Sequence, residues 1–125
     1  MSLGPHLYLY DLEKKFPVDH EHAHQNMSKP ASFLNYLYNH SSWIAGVFTF
    51  EIPLTGGSLD EDHSFGESED ELFSRGDLEK FLAELQNVPR PSDEEIFLAW
   101  NYDHLMRLIK VALSKPQLTL SMAVL

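Results

Sequence analysis

The sequence predicts an α+β fold, a small mixed or antiparallel sheet of three to four strands with three helices packed mainly on one face. Apolar residues recur at helical spacing in residues 30–39, 77–88 and 92–115, whereas residues 6–12, 47–52 and 118–124 are typical of strands. At 125 residues with 43% apolar side chains, the chain can bury one core. We therefore treat residues 1–125 as a single domain with an acidic loop at about 53–71.

The first half of the chain is predicted to place one helix between two strands. Residues 6–12 carry apolar groups on both faces of an extended segment, which is typical of an inner strand. Pro30 suits the first position of the helix that follows. Phe48 and Phe50 then share one face of a second strand over residues 47–52.

The second half is organised around a long helix that leads into a strand. Ser92 and Glu95 have the spacing of a capping box, and Pro116 ends the helix because it has no N–H to donate. The apolar face of this helix is wider than a surface helix needs, so we expect it to be covered on more than one side. Residues 118–124 alternate apolar and polar side chains, which predicts a strand that pairs inside the sheet.

Two shorter elements precede this long helix. Asp77 is predicted to cap an amphipathic helix that Pro89 closes. Leu72 and Phe73 are predicted to form a short fourth strand. The link between the two helices is short, so we expect them to pack against each other.

Composition excludes several classes of function. A net charge of −10 argues against binding of nucleic acid or anionic lipid, because both require lysine and arginine to neutralise phosphate. The absence of cysteine excludes disulfides and thiol chemistry and fits a cytoplasmic protein. We find no signal peptide or membrane-spanning run, so we expect no membrane partner.

No motif of catalysis stands in the sequence, and we expect no enzyme. Asp103 and Arg107 have the spacing of an ion pair on one helix, so we interpret His104 beside them as structural. His40 precedes Ser41, but no Gly-rich oxyanion loop or nucleophile elbow surrounds them.

The sharpest local pattern is a histidine cluster. His20, His22 and His24 alternate along the chain, and in an extended segment their imidazoles project from one side. Imidazole is a good ligand for zinc or nickel. The alternative to a cofactor-free protein is therefore a metal-binding protein or metal-dependent enzyme that uses these three residues.

The acidic loop is the second candidate site. It is predicted to present a negative surface, with Phe65 as an apolar anchor, to a basic protein partner. The predicted contact residues are Asp60, Glu61, Asp62, Phe65, Glu67, Glu69, Asp70 and Glu71. This predicts a small acidic protein-binding domain of the immunity or antitoxin type, an inhibitor of a basic toxin or nuclease. The remaining alternative is a structural or homodimeric subunit that uses a sheet edge or the long helix.

Overall fold

We describe a computed structural model of the chain, in which residues 5–18, 25–26, 31–64, 66 and 70–124 are described. In this part of the chain the fold is α+β, as the sequence predicts, with four helices where three were expected. Its elements are, in order, β1 (Pro5–Asp11), β2 (Phe16–Pro17), β3 (Gln25–Asn26), α1 (Ala31–His40), α2 (Ser42–Phe48), β4 (Glu71–Leu72), α3 (Arg75–Asn87), α4 (Ile96–Ser114) and β5 (Leu118–Val124).

The sheet is antiparallel and is centred on β1 and β5. These two strands pair along their whole length, from Pro5 opposite Val124 to Asp11 opposite Leu118. β4 pairs with the other edge of β5, so β5 lies inside the sheet as predicted. β2 and β3 both pair with β1, and because β5 occupies one edge of β1 they share the opposite edge.

The two faces of the sheet are covered differently. Leu7 and Leu9 of β1 pack in the main core with residues of all four helices. Tyr8 and Tyr10 point to the opposite face, where they pack with Leu72 and Leu59. The prediction of an inner strand with apolar groups on both faces is confirmed, and the second face is covered by the segment that follows α2.

The predicted second strand over residues 47–52 is wrong. Ser41 caps a short helix instead, because its hydroxyl accepts a hydrogen bond from the N–H of Ile44 at 3.2 Å. Five consecutive residues from Ile44 to Phe48 are buried, so this helix has no polar face and no helical period that the sequence could reveal. Phe50 then has a φ of 63°, and the chain turns where a strand was expected.

The helix ends differ from the predicted caps. α3 begins one turn earlier than expected, with Ser74 as its cap and Asp77 completing a capping box. The capping box predicted for Ser92 and Glu95 is absent, because Glu95 makes no side-chain cap bond and α4 starts at Ile96. α4 ends at Ser114 with Lys115 as its C-cap, and Pro116 follows the cap, as predicted. Across the described residues, no helix combines the length and the apolar content required to span a membrane.

Candidate functional site

The segment that carries the acidic loop is held at both ends by the edge of the sheet. The N–H of Gly56 donates to the Leu72 carbonyl at 3.0 Å, and the N–H of Leu72 donates to Gly57 at 2.8 Å. Further along, the N–H of Leu59 donates to the Asp70 carbonyl at 2.8 Å. The described ends of the loop are therefore paired backbone, and the acidic residues lie between them.

Asp70 is the inward anchor of this segment. It is buried on the tyrosine face of the sheet, where the Tyr8 hydroxyl donates to its Oδ2. The N–H of Gly66 donates to the other carboxylate oxygen at 3.1 Å. Burial and the hydrogen bond to Asp70 raise the pKa of Tyr8, so its hydroxyl remains a donor at any physiological pH. The structure thus places Asp70 beneath the loop, away from the surface that a partner would touch.

The exposed part of the loop is a turn that we call the acidic turn, residues 60–63. Oδ1 of Asp60 accepts from the His63 N–H at 3.1 Å and lies 2.6 Å from the His63 ring nitrogen Nδ1. The hydrogen bond to His63 lowers the pKa of Asp60. Glu61 and Asp62 lie exposed at the tip, and neither forms an ion pair with any residue that the structure describes. The contacts between Asp60 and His63 therefore hold the turn, and the two carboxylates at its tip are paired with no described cation.

A hollow of about 200 Å³ lies beside the acidic turn. Its lining includes Tyr10, Lys15, Ser58 and the pair of Asp60 and His63. Burial, and then the nearby Asp60 charge, raise the pKa of Tyr10, whose hydroxyl has no hydrogen-bond partner among the described residues. Within the same residues, no hydroxyl is bonded to the His63 ring.

The remaining predicted site residues have different outcomes. Glu71 lies half-buried in β4, opposite Met122 of β5. Six others lie outside the described residues, namely His20, His22, His24, Phe65, Glu67 and Glu69. Among the residues that are described, no group of three histidine or acidic side chains could hold a metal ion. The zinc or nickel site therefore stays a prediction.

A second surface lies on α4, the long helix that the structural or homodimeric alternative would use as its interface. Ile96 is 70% exposed, Phe97 is 75% exposed and Trp100 is 59% exposed. The Trp100 ring lies on the ring of His104, with 5.1 Å between their centroids. The sequence shows these side chains as part of a wide apolar face, and we expected them to be covered. Within the described fold they are not.

Charged residues around this surface pair differently from the prediction. Asp103 does not pair with Arg107. It accepts two hydrogen bonds from Arg90, from Nε at 2.9 Å and from Nη2 at 2.8 Å, because the link before α4 brings Arg90 against the helix. Arg90 also donates to Asp93 at 3.0 Å, and these two carboxylates raise its pKa.

His104, which we interpreted from the sequence as a structural residue, lies in α4 with its ring against that of Trp100. It is buried, and its Nε2 has no hydrogen-bond partner in the described part of the chain. Burial, and to a lesser degree the nearby charge of Arg107, lower the pKa of His104. The ring is therefore neutral at pH 7, and it contacts the Trp100 ring at an interplanar angle of 38°.

Comparison of this chain with protein-family models, curated proteins and solved structures finds no match.

Proposed function

We propose that this chain is a protein-binding domain that binds a basic protein with the acidic turn, as an inhibitor of the immunity or antitoxin type does. The observation that carries the proposal is the construction of the turn. Asp60 binds His63 within the turn, so Glu61 and Asp62 are presented at a fixed place and in a fixed direction. A surface that is ordered before binding loses less conformational entropy on association than a mobile acidic loop would.

The charge of the whole chain supports the same partner class. With a net charge of −10, the protein attracts basic surfaces and repels phosphate. Complementary charge raises association rates from about 10⁵–10⁶ M⁻¹s⁻¹ towards about 10⁸–10⁹ M⁻¹s⁻¹ at low salt. A toxin that acts on nucleic acid is basic, so carboxylates that meet its binding surface would both speed capture and block its substrate.

The test neutralises the tip without touching the bonds that shape the turn. The variant Glu61→Gln/Asp62→Asn removes two exposed charges and leaves Asp60 and His63 in place. A matched control, Glu51→Gln/Glu79→Gln, changes the net charge equally at two exposed positions outside the turn. Proteins captured from lysate by the native chain and released by salt are identified, purified and measured for association rate against all three chains.

The proposal expects a basic partner whose association rate falls about three- to tenfold with the turn variant and much less with the control. The salt dependence of the rate should also become shallower in the turn variant, because fewer charge pairs form at the encounter. Equal rates for the turn variant and the native chain would refute the proposal.

A further inference from the structure

The exposed face of α4 has a pattern of side chains that reverses about its midpoint. Outward from the point between Asp103 and His104, three positions on one side have counterparts at equal distance on the other: Trp100 and Arg107, Phe97 and Lys110, and Ile96 and Val111. All six side chains are exposed. At 3.6 residues per turn they fall within an arc of about 140° around the helix axis.

We propose that a second copy of this chain packs on this face, with the two α4 helices antiparallel about a two-fold axis between Asp103 and His104. A two-fold axis makes each contact occur twice, which is the requirement that a reversed pattern satisfies. Trp100 of one copy then lies on the Arg107 guanidinium of the other as a cation–π contact, and Ile96 of one copy meets Val111 of the other.

The shape of the face agrees with this pairing. Its C-terminal half contains a shallow depression of about 400 Å³, and the N-terminal half carries the protruding rings of Phe97 and Trp100. The depression is lined by Asp103, Met106, Arg107, Lys110, Val111 and Ser114. In the antiparallel arrangement, the Trp100 ring of each copy enters the depression of the other.

The charges at the two ends of the helix specify the antiparallel direction. Glu94 and Glu95 lie exposed before the first turn, and Lys110 and Lys115 lie exposed at the other end. None of these four forms an ion pair within the described residues of one chain. Antiparallel packing brings the acidic end of each copy to the basic end of the other, whereas parallel packing would place like charges together.

The size of the surface predicts a weak dimer. Two aromatic side chains at these exposures offer roughly 250–300 Å² of area, about a third of what each partner buries in a standard interface. Aliphatic side chains and the stems of Arg107 and Lys110 must supply the remainder. The acidic turn lies beyond the other face of the sheet, so the inference goes beyond the proposed function and does not depend on it.

Sedimentation equilibrium over about 1 µM to 1 mM covers the affinities expected for such an interface. The native chain should change reversibly from its mass of 14.4 kDa to twice that mass. Trp100→Ala should weaken the dimer at least tenfold. Tyr38→Ala removes an aromatic side chain that is 68% exposed on α1 and should leave the dimer unchanged. A native chain that stays monomeric throughout, or a dimer that Trp100→Ala does not weaken, would overturn the inference.

A mixing experiment tests the pairing of the ends. Glu94→Lys/Glu95→Lys places like charges at both ends of its own dimer, and so does Lys110→Glu/Lys115→Glu. Neither variant should dimerise alone, yet an equal mixture should, because all the end contacts of the mixed dimer are attractive. Failure of the mixture to associate while the native chain dimerises would exclude the antiparallel pairing.

The register can be tested by oxidation, since the chain contains no cysteine. Asp103→Cys lies next to the proposed axis and should form a disulfide-linked dimer. Glu79→Cys, on the exposed side of α3, should not. Equal cross-linking of the two variants would overturn the proposed register.

Discussion

The Tyr8 hydroxyl should contribute more to the free energy of unfolding than any other tyrosine hydroxyl in the described fold. Tyr8→Phe leaves the buried carboxylate of Asp70 without this donor. A hydrogen bond to a charged group contributes about 1.5–3 kcal/mol. Asp70 keeps the bond from Gly66 at 3.1 Å, so we expect a loss near the middle of this range. At roughly 3–4 °C per kcal/mol for a chain of this size, a loss of about 2 kcal/mol lowers Tm by about 6–8 °C.

The neighbouring residue Tyr10 provides a matched control. Its ring is buried on the same face of the sheet, but its hydroxyl has no partner among the described residues. Tyr10→Phe removes a buried polar group that gains nothing from the fold, so the unfolding free energy should stay level or rise slightly.

Urea unfolding followed by tryptophan fluorescence separates the two variants, since Trp43 packs edge-on against Phe81 in the core and reports the loss of tertiary structure. Amide exchange at Leu59 and Gly66 adds a local measurement, because both amides bond to Asp70. Faster exchange there in Tyr8→Phe would show that the hydroxyl also holds the acidic segment. If Tyr8→Phe were no less stable than Tyr10→Phe, the hydroxyl would not be bonded to a buried carboxylate, and the reasoning would fail.

Three further predictions, made with five variants, concern the free energy of unfolding measured with urea. Gly56→Ala should lower the free energy of unfolding by about 1–3 kcal/mol, because its Cβ would clash with the backbone carbonyl of Leu72. Gly76→Ala, at a helix position with open space around it, should raise the free energy of unfolding by up to about 1 kcal/mol. Ser74→Ala removes the capping box of α3 and should lower the free energy of unfolding by about 1 kcal/mol. Ser92→Ala should change it little, because the Ser92 side chain caps no helix. Burial lowers the pKa of His104, so the free energy of unfolding is highest above about pH 6.5 and falls as the pH drops below that value. His104→Gln should remove this pH dependence, whose slope is at most about 1.4 kcal/mol per pH unit. A native slope that persists unchanged in His104→Gln would assign the effect to other groups.

The two long strands could be predicted because their signals are local. In β5, Leu118, Leu120 and Met122 point to the helices, and the alternation directly encodes that face. In β1, apolar side chains on both faces indicate cover on both sides, and the structure provides helices on one and the acidic segment on the other.

The missed helix α2 shows where periodicity fails. Ile44, Val47 and Phe48 are all fully buried or nearly so, and a short helix surrounded by core has no polar side to mark its turn. Phe48 ends α2, and Phe50 and Ile52 lie in the turn that follows it. Their alternating positions in the sequence resemble one face of a strand, although residues 49–52 form a turn. The cap at Ser41 is the one local signal of the helix. Because Ser42 follows it, the sequence does not show which of the two serines is the cap.

The acidic loop could be predicted as a whole but not residue by residue. Composition treats its carboxylates as equivalent, yet Asp70 is buried against Tyr8 while Glu61 and Asp62 face outward. The difference depends on a contact between residues 62 positions apart, which no local pattern reports. A buried tyrosine in a central strand does indicate that its hydroxyl requires a partner, but it does not name one.

The wide apolar face of α4 shows how far a sequence pattern can be interpreted. Amphipathic spacing indicates which side chains avoid water, but not whether their cover comes from the same chain or from another. Leu105 and Ile109 of α4 are buried by their own fold. Trp100 belongs to the same apolar pattern, and no described residue covers it, although it costs free energy to expose a large ring to water. The proposed second copy would supply this cover, because it would place its Arg107 guanidinium against the Trp100 ring.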